Sequence, residues 1–200
     1  MGRRMLTKRI KDIFDKHNGI LTLKQAVDHG LSKESLRRAY LRGDLAKLKG
    51  GIYLLDNSYS DELYTTQLRY PKGIYSHETA VMLHSLSTYS PFVYHMTFPR
   101  GYNLNNPEQQ HIYPHHMTLT KINIGVKSME SWHGNHILVT NLERTVVDML
   151  TNKNAFPGIV DEMIDNYLWM EDKDIKRLKR YAKIFGAEKQ IEGKVLEFAK

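Results

Sequence analysis

The sequence predicts an α+β protein: an N-terminal winged helix-turn-helix followed by a mixed α/β domain with a helical C-terminal tail. Three observations point there. First, the positive charge is local: residues 1–56 hold 13 Lys/Arg against 6 Asp/Glu, while residues 57–200 hold 16 of each. Second, helix start and stop signals in that first quarter mark three closely spaced helices and a glycine hairpin. Third, short apolar runs alternate with helical patterns in the remainder. The change in charge sets the expected domains at 1–56 and 57–200, joined through the polar, turn-prone Asp56-Asn57-Ser58-Tyr59-Ser60.

In the basic quarter, Leu6, Ile10, Ile13 and Phe14 recur at helical spacing, and Asn18-Gly19 ends that helix. Thr22 lies three residues before Gln25, the spacing of a capping box, and Leu23, Ala26 and Val27 mark one face of a short second helix. Gly30 closes it. Ser32 caps a third helix from Lys33 to about Arg42, with Leu36, Ala39 and Tyr40 on its apolar face. Leu41 falls on the polar side. Leu45 to Leu55 reads as a hairpin turning at Gly50-Gly51. Two short helices at a tight turn, followed by a basic hairpin, are the parts of a winged helix-turn-helix, whose second helix enters the DNA major groove.

The side chains suit that task. Arg37, Arg38 and Arg42 carry forked donors that match guanine O6 and N7 or a phosphate. Lys33 and Ser35 complete the base-reading candidates. Lys24, Gln25, Lys47 and Lys49 are the phosphate candidates. Arg3 and Arg4 are candidates for a flexible arm.

Beyond residue 56, Asp61 to Tyr70 is expected as a helix stopped by Pro71-Lys72-Gly73, and Ser76 to Thr79 opens another. Val93–Phe98, Met117–Val126 and His136–Thr140 read as strands. Asn141 to Leu150 and everything after Pro157 read as helix. In the tail, Ile175, Leu178, Ala182 and Phe185 share one face, and Lys176, Lys179, Arg180 and Lys183 form a possible second basic face.

The winged helix, then Gly51-Ile52-Tyr53-Leu54, then Ser76-His77-Glu78-Thr79-Ala80 with His84, then Thr140-Asn141-Leu142-Glu143-Arg144-Thr145-Val146-Val147-Asp148, occur in an order that resembles the AbiEi-type antitoxins of bacterial type IV toxin–antitoxin (abortive infection) systems. The resemblance covers roughly residues 5–150. It implies that the N-terminal domain binds inverted repeats in double-stranded DNA upstream of its own operon and represses it. It implies that the C-terminal domain counters a cognate nucleotidyltransferase-like toxin in phage defence, without needing a stable complex. Ser76, His77, Thr79, His84, Thr140, Glu143, Arg144 and Asp148 are the motif residues of that domain.

Other classes find less support. No Cys is present, which removes disulfide scaffolds, thiolate zinc sites and cysteine nucleophiles. There is no apolar run of the roughly 20 residues that a membrane span needs, and the expected compartment is the cytoplasm. Among the ten histidines, His77 and His84 can share a helix face, His111, His115 and His116 sit in or near a loop, and His133 and His136 flank a turn. No HExxH motif occurs, so no metal or other cofactor and no catalytic residue is expected. Glu143 reads as the partner of Thr140 in a capping box, and Arg144 as the i, i+4 partner of Asp148. Two rivals stand beside the regulatory reading. One is a metal-dependent nuclease, for which Glu171-Asp172-Lys173 and Glu192-Gly193-Lys194 supply only the letters of an acid-x-Lys element. The other is a winged helix that binds protein and not DNA.

Overall fold

The first quarter folds around two apolar side chains one helical turn apart. Ile10 and Phe14 of α1 (Lys8–Asp15) are buried against Leu21, Ala26, Leu31, Leu36, Ala39, Leu45 and Tyr53. The computed structural model describes residues 7–55 and 60–196. The expected contributions of Arg3, Arg4 and Leu6, and most of the expected linker, lie outside the described residues.

After α1 come β1 (Ile20–Thr22), α2 (Leu23–Asp28) and α3 (Lys33–Leu41). Thr22 forms the expected capping box: its hydroxyl accepts from Gln25 N, and Gln25 Oε1 accepts from Thr22 N. Ser32 caps α3 by accepting from Ser35 N. β2 (Leu45–Leu48) and β3 (Ile52–Leu55) form the hairpin. Its turn requires positive φ at Gly50 and Gly51, 81° and 71°. β1 adds to the other side of β3, giving an antiparallel three-stranded sheet in the order β1-β3-β2.

Two side chains depart from the expected faces. Val27 is 40% exposed and Tyr40 44% exposed. α2 is only six residues long; Ala26 is buried in the core and Leu23 packs partly against it, so the wheel overstates the width of its apolar stripe.

Next is α4 (Glu62–Arg69), capped by Asp61. Tyr64 and Leu68 of α4 pack on Ile20, Ile52 and Leu54 of the small sheet. The contacts therefore divide the chain at Pro71, not at the change in charge near residue 56: one compact unit is Met1–Pro71 with Glu130–Ile137, the other Lys72–Met129 with Leu138–Lys200. Within the first unit, buried Asp61 also accepts from Asn135 Nδ2 at 2.7 Å and from Ser131 Oγ.

The remaining strands are β4 (Ile74–Tyr75), β5 (Tyr94–Pro99), β6 (Ile112–Met117), β7 (Val126–Glu130) and β8 (His136–Thr140). They form a mixed sheet ordered β6-β5-β4-β8-β7, antiparallel at β4–β5 and parallel at β5–β6 and β4–β8. α5 (His77–Leu83), α6 (Leu142–Thr151), α7 (Pro157–Trp169), α8 (Ile175–Phe185) and α9 (Glu188–Ile191) supply a helical core. It contains Val81, Leu86, Val146, Val147, Met163, Ile164, Tyr167 and Leu178. The molecule is α+β, with helices concentrated toward its C-terminal end.

The expected strand Met117–Val126 is mostly turn. Lys121 and Ile122 both donate their N–H to Thr118 O, and Gly125 has φ 74°. The strand lies just before it, as β6, and carries Pro114 together with His115 and His116, two of the histidines expected in or near a loop. β6 is an edge strand, where a missing proline N–H is tolerated.

Candidate nucleic-acid interface and a buried polar cluster

In α3, Leu36 and Ala39 face the core, while Lys33, Glu34, Arg37, Arg38 and Leu41 are exposed. Cap and exposed face come from one short run, Ser32 to Leu41: Ser32 fixes the start, and the 3.6-residue period aims the cations outward. Arg38 Nε donates to Glu34 at 3.0 Å, and Arg42 Nε to Asp44 at 2.8 Å. Arg37 makes no ion pair among the described residues. The Arg38–Glu34 pair is solvent-facing and weak, so it can be exchanged for a phosphate or a base edge, whereas the Asp44 side chain that holds Arg42 is largely covered.

The other candidates separate into an exposed group and a locally hydrogen-bonded group. Lys24, Lys33, Lys47 and Lys49 are exposed. Lys47 lies opposite Tyr53 across the hairpin, its ammonium 5.7 Å from the ring centroid. Gln25 and Ser35 are committed locally. Gln25 Oε1 accepts from both the Thr22 N–H and hydroxyl, and the Ser35 hydroxyl donates to Ser32 O at 2.7 Å. Their polar atoms close helix ends.

A groove of about 780 Å³ runs beside this surface, lined by Lys24, Lys33, the Gly50–Gly51 turn and Arg69. Sequence reasoning missed Arg69, which sits on α4, past the change in charge. A Cβ on Gly50 would lie 3.1 Å from Arg69 Cγ, so glycine there lets the two elements approach. A second groove, of about 510 Å³, has Arg9, Arg38, Arg42 and Glu34 in its lining. Arg9 also donates to Gly30 O at 3.2 Å.

In the second unit the motif residues are interior. Ser76, His77, Thr79, His84, Thr140, Glu143, Arg144 and Asp148 are all buried. Ser76 Oγ and Thr97 Oγ1 are 2.8 Å apart, and His77 Nδ1 lies 2.9 Å from Ser76 Oγ. Thr79 Oγ1 accepts from His95 N, and His84 Nε2 contacts Thr140 O at 2.6 Å. His77 and His84 thus take different partners. The cap of α6 is Asn141, which accepts from Arg144 N; Thr140 instead meets Thr145 across 2.9 Å. Glu143 leaves the helix start to accept from Asp174 N and Arg177 Nη1. Arg144 and Asp148 pair as expected, at 2.7 Å, but wholly buried.

Burial dominates the electrostatics here. It pushes His77 down to about 3, against the pull of Glu78, and His115 down to about 2. It lowers His84 too, against the Thr140 carbonyl, which favours the charged ring. It raises Asp148 to about 6 against Arg144. His115 stacks on His77 with centroids 3.4 Å apart and planes 5° apart.

The basic side chains of α8, Lys176, Lys179, Arg180 and Lys183, are exposed, with Leu178, Tyr181 and Ala182 buried behind them. Neither acid-x-Lys run lies on a strand. Lys173 donates to Met170 O in the turn after α7, and Lys194 lies 3.7 Å from Asp161. Among the described residues, no helix is long and apolar enough to cross a membrane.

With a capped helix-turn-helix, a glycine wing and this cationic face in place, the matching family is informative. Residues 8–55 match the family described as "Transcriptional regulator, AbiEi antitoxin". This segment is similar to the AbiEi-type antitoxin regulators. The family is one of antitoxin regulators, so the expected resemblance holds for this segment, and the structure gives it a winged helix. A search of curated proteins finds no match. Among solved structures, the RV2827C protein from Mycobacterium tuberculosis is similar in fold, with a TM-score of 0.56 at 11% identity over 91% of this chain and 73% of that one.

Proposed function

We propose that the chain is a sequence-specific DNA-binding autorepressor and an antitoxin that counters a nucleotidyltransferase-like toxin, in a cytoplasmic type IV phage-defence system. It works as a regulator with no catalytic step of its own. The observation that carries the DNA half is the exposed face of α3, bearing Lys33, Arg37 and Arg38 inside an AbiEi-type domain. In this reading α3 enters the major groove. Arg37, in no ion pair among the described residues, reads a base edge. Arg38 exchanges Glu34 for guanine or phosphate, which Arg42 meets while paired with Asp44. Leu41, 63% exposed on the same face, meets a thymine methyl. Lys24, Lys47, Lys49 and Arg69 take phosphates. Gln25 and Ser35 hold the two helix starts rigid.

The operator is an inverted repeat upstream of the chain's own operon, read by two copies. The toxin is a functional partner, with no stable complex required. The buried motif of the second unit then acts as scaffold and leaves partner contact to surface residues. The basic face of α8 is a candidate for added phosphate contacts.

Fluorescence anisotropy of the full chain, with upstream DNA and a scrambled control across a salt series, tests the reading. Tight, sequence-dependent binding that weakens steeply with salt is expected. Arg37→Ala is expected to lose about 1–3 kcal/mol and relax the sequence preference. Equal, weak binding to both DNAs would overturn the repressor half.

A further inference from the structure

Three atoms bearing lone pairs converge where the start of α5 covers the second unit's sheet. Glu78, His95 and His115 each offer one such atom, and the three lie within 4.8 Å of one another. Each comes from a different element. Glu78 is in the first turn of α5, His95 on β5 and His115 on β6. The parallel register sets Tyr113 beside His95 and His115 beside Thr97, so Tyr113 and His115 share one face of β6.

The protons available do not satisfy this arrangement. Glu78 Oε2 lies 2.6 Å from His95 Nδ1, and the same nitrogen lies 3.1 Å from His115 Nε2. His95 Nδ1 carries at most one proton. Directed at Glu78, that proton leaves the two ring nitrogens facing each other without a linear hydrogen bond. If His115 donates to His95 instead, the buried Glu78 oxygen has no donor. One cation among the three accepts every lone pair at once.

We propose that Glu78, His95 and His115 bind a divalent transition-metal ion of the zinc class. Two imidazoles and one carboxylate suit zinc and its neighbours, whereas magnesium and calcium take oxygen donors. Tetrahedral zinc with ligands at about 2.0–2.1 Å sets them about 3.3 Å from one another. The two histidine nitrogens, 3.1 Å apart, are already near that spacing, and the Glu78 carboxylate, within 4.8 Å of both, has to swing toward the gap between the rings. Both rings are held in plane. His115 stacks on His77, and His95 stacks on Tyr113 with centroids 4.8 Å apart. Such support from neighbouring groups is usual around metal-binding imidazoles. His77 has φ 50°, a left-handed backbone that a histidine seldom adopts. Three protein ligands leave a fourth position for water. The ion would tie the start of α5 to the β5–β6 edge of the sheet.

The test uses the full-length, tag-free chain with zinc or cobalt(II) as the only added ligand. Calorimetry is expected to show one equivalent of zinc bound, thermal unfolding to shift upward with excess zinc, and cobalt to give the strong visible bands of a four-coordinate site. Glu78→Gln and His115→Asn, checked for folding by circular dichroism, are each expected to weaken zinc more than about tenfold. The exposed His17–His29 pair, 2.9 Å apart, is the competing place for an ion, and His29→Asn is expected to change nothing. For any variant that fails to fold, cobalt shifts of the ring protons in the unaltered chain decide the location. No zinc binding, binding that survives both substitutions, or cobalt shifts confined to His17 and His29 would each overturn the proposal.

Discussion

Gly125 shows how one residue without a side chain permits a buried charge. A Cβ there would sit 2.8 Å from Arg144 Cβ, at φ 74°. The Arg144 guanidinium uses the space: it lies 3.9 Å over the Phe185 ring, donates to Ile124 O at 2.8 Å and pairs with Asp148. Removing one member of a buried pair leaves the other uncompensated. Arg144→Met is therefore expected to lower stability by about 3–5 kcal/mol in urea unfolding. A second residue-scale prediction concerns pH. The folded His84 value lies below the ordinary 6.5 because the ring is buried. The unfolded chain takes up that proton first, so His84's contribution is full above pH 6.5 and is lost as pH falls below it, at no more than about 1.4 kcal/mol per pH unit. Asp148 acts oppositely: its folded value of about 6 exceeds 3.8, so the fold gains as pH falls between the two. His84→Gln is expected to flatten the stability profile measured from pH 7.5 to 5.5. Arg144–Asp148 was legible as an i, i+4 pair. Its burial was not, because periodicity does not reveal that Ile124 and Phe185 close over it.

At the scale of elements, caps and turns follow from residues within four positions of one another. Thr22–Gln25, Ser32 and Gly50–Gly51 were readable for that reason. Thr22→Val is expected to cost about 1 kcal/mol in thermal or urea unfolding by removing the acceptor for Gln25 N. The α3 face gives a sharper functional prediction. Glu34 holds Arg38 and adds a negative charge where DNA is proposed to dock. Glu34→Gln is expected to tighten DNA binding by roughly twofold to tenfold at low salt in anisotropy, with the gain shrinking as salt rises. For α8, Lys176→Gln with Arg180→Gln and Lys183→Gln is expected to lower the slope of log K against log salt if this face reaches phosphate, and an unchanged slope removes it from the interface. The 117–126 segment misled because alternating apolar residues, among them Leu119, Ile122 and Ile124, also suit successive turns. β6 was hidden by Pro114, which an edge strand accommodates.

At the scale of the molecule, charge and contacts divide the chain differently. The charge changes near residue 56, but α4 covers Ile20, Ile52 and Leu54. A fragment ending at residue 71 is therefore expected to melt higher by circular dichroism than one ending at 56, which leaves that apolar surface open to water. Arg69 enters the basic groove through the same packing. By itself the sequence determined the α+β class, the order of the helix-turn-helix and wing, and the caps of α2 and α3. Those properties depend on period, spacing and turn chemistry along a few residues. Only the tertiary structure decided which distant residues meet. Asp61 reaches Ser131 and Asn135, the antitoxin-like motif turns inward, and Glu78 gathers His95 and His115. Sheet order and register set those meetings, and neither is written in the local periodicity of a single chain.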